Sequence, residues 1–132
     1  MSLLRNVLRW QVRASAVFGL ALVFAPGPVV EGAMGQPPLQ EDAWVRLLGV
    51  AAFALAAQMV LVQRRVEDLW WWTWSFVALE VGVGVVFWLN ALLGVPDGAP
   101  SWPWWAGAGI SFAWAGLDLA GLAKAGTERS AL

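Results

Sequence analysis

The sequence predicts an all-α membrane protein: a single domain, residues 1–132, built as a bundle of four transmembrane helices with a short interfacial helix at its start. Hydrophobic residues make up 60% of the chain and charged residues only 13%, a balance that soluble domains do not have. The charges are concentrated in short segments between four long apolar stretches. Each stretch is long enough to cross the hydrocarbon core of a bilayer.

The first predicted element is an interfacial helix over residues 1–13. Arg5, Arg9 and Arg13 recur at four-residue spacing, opposite apolar side chains. A helix with one basic face and one apolar face typically lies at the membrane surface. We therefore expect this segment to lie along the interface rather than to enter the bilayer.

Four apolar stretches are the predicted crossings, at about residues 14–30, 43–62, 69–93 and 104–123. The Pro-Gly-Pro sequence at 26–28 is expected to end or kink the first of them. A cleaved signal peptide is the alternative interpretation of that first stretch. No small-x-small cleavage site follows it, so we expect it to be retained.

The distribution of basic residues predicts the orientation. One set of segments contains seven basic residues, namely Arg5, Arg9, Arg13, Arg64, Arg65, Lys124 and Arg129, and the other contains only Arg46. Basic residues in short loops remain on the cytoplasmic side. Both termini are therefore predicted to be cytoplasmic, and so strong a bias is typical of a bacterial inner membrane.

Two residue types are missing, and their absence limits the chemistry. The chain has no Cys and no His, which disfavours haem ligation, thiol chemistry and the usual catalytic pairs. The net charge of -1 and the lack of a basic surface argue against nucleic acid as a partner. We expect no enzymatic activity, no metal and no obligatory cofactor, and leave open a bound lipid, carotenoid or quinone.

Three polar residues inside the apolar stretches are the candidate intramembrane functional residues. Glu80 lies about 15 Å from the inner end of its predicted helix, and Asp118 and Gln58 each lie about 9 Å from theirs. Polar groups are costly in lipid, so they usually face the protein interior and often have a function. A polar cluster in the inner half of the bilayer is expected.

The candidate residues also have structural interpretations. For Asp118 we favour a salt bridge to Arg13 or Arg9 at the base of the first helix. Glu80 has no basic residue at its depth, so we expect it to be protonated, and both a proton-coupled or cation-binding role and a neutral structural role stay open.

Two polar residues, Arg46 and Asn90, lie near the predicted outer side. Anchoring of helix ends is the favoured role for both, and the outer mouth of a pocket is the alternative.

Small and polar residues recur at helical spacing on two of the predicted crossings. They are Thr73, Glu80 and Gly84 on the third and Gly107, Ser111, Ala115 and Asp118 on the fourth. Small residues allow helices to approach closely in lipid. We expect these two faces to point inwards, and most of the 11 Trp residues to lie at the two interfaces.

The helix plan resembles that of the small bacterial DoxX-like four-helix membrane proteins. The resemblance rests on the segment Phe24-Ala25-Pro26-Gly27-Pro28 after the first apolar run and on the Arg-Leu-Leu-Gly sequence of residues 46–49. It implies a membrane subunit that, in some relatives, is associated with quinone-linked oxidation.

The predicted function is a non-enzymatic accessory or scaffold subunit of a larger membrane complex, because the loops are too short to form a catalytic or receptor domain. Other membrane proteins, or further copies of the chain, are the expected partners. The alternative is a homo-oligomeric small transporter or proton-coupled channel that uses Glu80. The small multidrug-resistance transporters are similar in size, but they place their essential carboxylate in the first helix, where this chain has none.

Overall fold

The computed structural model describes residues 1–130. Its five α-helices are α1 (Ser2–Phe24), α2 (Ala43–Arg64), α3 (Val66–Leu69), α4 (Thr73–Leu93) and α5 (Trp102–Ser130). A π-helix (Pro28–Ala33) follows α1, and a 3-10 turn (Trp70–Trp72) joins α3 to α4. Four helical stretches are long and apolar enough to cross a membrane, namely Ser2–Phe24, Ala43–Arg64, Val66–Leu93 and Trp102–Ser130. The chain therefore has the helices of an integral membrane protein.

Helix α1 is continuous, which differs from the prediction of a separate interfacial helix over residues 1–13. No helix-breaking residue separates its two halves, and the apolar side chains Leu4, Val7 and Leu8 are buried inside the protein. Their burial against other helices replaces the predicted contact with lipid. The helix spans about 34 Å at 1.5 Å per residue, which is enough to cross a bilayer.

The Pro-Gly-Pro sequence ends α1, as predicted. The N–H of Ala25 bonds to the Ala21 carbonyl, and Pro26 follows directly. The chain then forms the π-helix, so helical structure continues to Ala33, three residues beyond the predicted end of the first crossing.

The other boundaries also differ from the prediction by a few residues. Only Arg65 separates α2 from α3, so residues 63–68, between the second and third predicted crossings, are mostly helical. Helix α5 continues seven residues beyond the predicted end of the fourth crossing. Polar helix-forming residues extend the helices past the apolar stretches that the prediction relied on.

The helices form two antiparallel hairpins, α1–α2 and α4–α5. In the first, a Cβ atom placed on Gly19 would lie 2.7 Å from the Gly49 carbonyl oxygen, so the two backbones are in direct contact. In the second, the Phe112 ring lies over Gly84 and the Phe87 ring lies over Gly107. Glycine makes both close approaches possible.

The two hairpins meet mainly through α1 and α5. We call the end with Met1, Arg65 and Ser130 the terminal end, and the end with residues 25–42 and 94–101 the loop end. An apolar core lies toward the terminal end, and its buried residues are Leu4, Leu8, Met59, Val62, Val66, Phe76, Val77, Ala115 and Leu122.

Polar contacts join the hairpins at both ends. At the terminal end the Met1 ammonium pairs with Glu128, and Arg5 lies 3.5 Å from Glu67. At the loop end the Gln36 amide donates to the Pro100 carbonyl at 3.1 Å and accepts from the Trp104 indole at 3.3 Å. The two hairpins are therefore joined to each other at both ends.

Candidate functional site

A buried polar cluster lies between these two ends. The Gln11 side chain on α1 is 1% exposed. Its Nε2 donates to Glu80 Oε1 on α4 at 2.6 Å and to Asp118 Oδ2 on α5 at 2.9 Å. We call these three residues the Gln11 cluster. One amide group thus joins three helices that come from both hairpins.

Helical spacing places each member of the cluster inside the protein. Gln11 lies three and seven residues after Leu8 and Leu4, so it shares their buried face. Glu80 lies between Phe76 and Gly84 on the inner face of α4.

Asp118 lies on the inner face of α5, three residues before Gly121. At Gly121 the absence of a side chain lets Leu4 of α1 approach the α5 backbone. That close approach brings the Gln11 amide within reach of both carboxyl groups.

The cluster has more hydrogen-bond acceptors than donors. Three buried oxygens, Gln11 Oε1, Glu80 Oε2 and Asp118 Oδ1, have no hydrogen-bond partner within residues 1–130. The two carboxyl oxygens that accept from Gln11 lie within about 5.5 Å of each other, since both contact the same nitrogen. Two full charges at that separation repel by about 3 kcal/mol at an effective dielectric constant of 20.

No basic side chain pairs with either carboxyl group in the described part of the chain. The predicted salt bridge from Asp118 to Arg13 or Arg9 is replaced by the bond to Gln11. Both arginines are exposed on the other side of α1, and the Arg13 guanidinium lies 4.8 Å from the centre of the Trp10 ring. The rotation of α1 therefore turns its amide, and not its arginines, toward Asp118.

Gln58 lies outside the cluster, although the sequence grouped it with Asp118. It is exposed, on the opposite side of α2 from the buried residues Gly49 and Ala56, although Val62, one turn further along, is buried. The structure therefore brings together Glu80 and Asp118 but not Gln58.

Arg46 and Asn90 contact the backbone near the loop end. The Arg46 guanidinium bonds to the Val23 carbonyl in the last turn of α1 and pairs with Asp42 at 2.9 Å. The Asn90 amide donates to the Val86 carbonyl of its own helix at 2.9 Å. For Arg46 these contacts join the end of α1 to the start of α2.

Sequence reasoning did not single out Gln11. The signal was present, because Gln11 continues the spacing of Leu4 and Leu8. Because residues 1–13 were predicted to lie at the membrane surface, Gln11 was not expected to be buried. Reading α1 as one helix from its start would have placed an amide on the inward face.

An open apolar groove runs along α1 on the outside of the protein. Its lining includes Trp10, Val17 and Phe18 of α1 and Trp114 of α5, and Arg13 is its one charged residue. This lining is compatible with the acyl chain of a lipid or with a carotenoid or quinone, and such binding stays a prediction.

Comparisons of the chain with family models, with curated proteins and with solved structures found no match. The resemblance to the DoxX-like proteins stays a prediction.

Proposed function

We propose that this protein is a non-enzymatic accessory or scaffold subunit that associates with other helices in a membrane. The proposed location is a bacterial inner membrane with both termini in the cytoplasm. Five basic residues at the terminal end, Arg5, Arg64, Arg65, Lys124 and Arg129, against Arg46 near the loop end, support this orientation.

The observation that carries the proposal is the exposed amide of Gln58. It lies 15 residues after the start of α2, within an otherwise apolar stretch. Lipid chains offer an amide no hydrogen-bond partner, whereas a polar group on a neighbouring helix does. A side chain with two donors and one acceptor in this position favours a contact between helices.

The residues around Gln58 have the spacing of a helix-packing face. Exposed residues recur at alternating intervals of three and four along α2, and they are Trp44, Leu47, Ala51, Ala54, Gln58 and Leu61. We call this set the α2 outer face. Such spacing suits left-handed helix packing, and the two alanines allow close approach near the polar residue.

The test is to purify the tagged protein from its native membrane in a mild detergent and to identify bound proteins by mass spectrometry. We expect a membrane protein in fixed stoichiometry with the wild type, and at least tenfold less of it with Gln58→Leu. Ala57→Leu is the matched control, because Ala57 is exposed about 90° around the helix from the centre of the α2 outer face.

Two results would contradict this proposal. The first is a wild-type protein that purifies without any stoichiometric partner, whether another protein or a second copy. The second is a partner that Gln58→Leu retains in full, because the amide then has no role in binding it.

Proton-linked transport through a homo-oligomer is a second candidate function. It is favoured by the position of Glu80 beside a second acid, Asp118, in the interior. Glu80→Gln keeps the shape and hydrogen bonding of the side chain but cannot exchange a proton. Loss of proton-linked flux in vesicles, with normal folding, would support transport, and unchanged flux would exclude Glu80 from it.

A further inference from the structure

The hydrogen-bonding capacity of the Gln11 cluster leads to an inference that is independent of the accessory role. The amide has two N–H donors, and both are used. The cluster contains five oxygens, and three of them are buried without a donor. With both acids ionised, no group in the cluster has a hydrogen left to offer them.

The charges that surround the cluster do not supply the missing positive charge. On α1, Arg9 and Arg13 are exposed on the far side, and Arg5 is engaged with Glu67. On α5 the nearest basic residue is Lys124, which is exposed six residues beyond Asp118.

Helices α2 and α4 do not supply the missing positive charge either. Glu80 is the one ionisable residue of α4, and the arginines of α2, Arg46 and Arg64, lie at its two ends.

A bound proton supplies both the missing hydrogen-bond donor and the missing positive charge. It removes one of two neighbouring negative charges from an apolar environment. It also turns one carboxyl group into an O–H donor, for which Gln11 Oε1 and the free oxygen of the other acid are unpartnered acceptors. A paired acid system of this kind shares its proton, so neither residue alone is the site.

We propose that Gln11, Glu80 and Asp118 form a proton-binding site in which the two acids retain at least one proton at neutral pH. The fold makes this site a link between the hairpins, because Gln11 belongs to α1–α2 and both acids belong to α4–α5. Loss of the proton removes the O–H donor available to Gln11 Oε1 on the other hairpin and places two like charges next to each other between α4 and α5. The protonated cluster therefore stabilises both the contact between the hairpins and the packing of α4 against α5.

The test is infrared spectroscopy of the purified protein at neutral pH, in a detergent that contains no carbonyl group. A protonated carboxylic acid has a carbonyl stretching band that is separate from the bands of carboxylates and amides. We expect this band in the wild type, and we expect Glu80→Gln and Asp118→Asn each to remove or shift it. Glu41→Gln, which changes an exposed acid in the segment 25–42, is the control and should leave the band unchanged.

Absence of the band in the wild type at neutral pH would overturn the proposal, whatever the variants do. A band that persists unchanged in both cluster variants would overturn it as well, because the proton then belongs to another acid. The wild-type spectrum alone is decisive on the first point, so the test does not depend on the folding of any variant.

Discussion

Gln11 and Gln58 are the same residue type in two apolar helices, and they have opposite surroundings. Gln11 on α1 is buried and bonds to two acids on the other hairpin. Gln58 on α2 is exposed among apolar residues. The difference shows that a polar residue within a membrane helix serves the internal packing of the chain or its external contacts according to the face that it occupies.

The largest expected effect is that of Gln11→Leu, which leaves the buried Asp118 and the half-buried Glu80 without their shared donor. We expect the free energy of unfolding to fall by about 3 kcal/mol. Reversible unfolding in mixed micelles measures this, with Gln58→Leu as the matched substitution on the exposed face. Equal effects of the two substitutions would contradict the assignment of inward and outward faces.

Gly49→Ala tests the inward face of α2 directly. The added Cβ would lie 2.6 Å from the Gly19 carbonyl oxygen, and overpacking of this kind costs about 2 kcal/mol. Gly116→Ala on α5 is the control, since no atom lies within 4 Å of its added Cβ. There the better helix propensity of alanine is expected to leave stability unchanged or slightly raised. A Gly49→Ala protein as stable as the wild type would show that α1 and α2 are not in backbone contact.

The pH dependence of stability should test the Gln11 cluster and not the α2 outer face, because only the cluster contains acids. If the folded protein retains a proton that the unfolded chain releases, stability falls as pH rises, by at most about 1.4 kcal/mol per pH unit for one proton. Because free carboxyl groups in an unfolded chain titrate near pH 4, we expect this decline from about pH 5 through neutral pH in the wild type and a flatter profile in Glu80→Gln. Thermal unfolding across about pH 5 to 9 measures both, and identical slopes would argue against Glu80 as part of the titrating pair.

The smallest expected effect on stability is that of Gln58→Leu. The side chain is exposed, so unfolding of the isolated protein should change by less than about 0.5 kcal/mol. Recovery of a membrane partner should fall nevertheless. A loss of stability comparable to that of Gln11→Leu would show that Gln58 contributes to the internal packing of the chain.

The four long helices were predictable from the sequence, because a stretch of about 20 apolar residues is required to cross a bilayer and is easily recognised. The inward faces of α4 and α5 were predictable too, since Thr73, Gly84, Ala115 and Asp118 recur at helical spacing and are buried. Glu80 and Asp118 were identified for the same reason, as ionisable residues within apolar stretches.

The partner of Asp118 was not predictable, because it depends on the rotation of α1. Arginines at four-residue spacing predicted a surface helix, and the sequence alone does not say that Leu4 and Leu8 pack on α5. The orientation of Gln58 could not be predicted for a different reason. Helix α2 is apolar nearly all the way round, so its sequence carries little information on which face is covered.

The most direct test of the Gln11 cluster is solid-state NMR of the protein in lipid, with labelled glutamine side chains and labelled acidic residues. The structure predicts through-space contacts from the Gln11 amide hydrogens to the carboxyl carbons of both Glu80 and Asp118, and no such contact from Gln58. Contacts from Gln11 to neither acid, or a contact from Gln58 to Asp118, would contradict the arrangement of helices on which the proton-binding proposal depends.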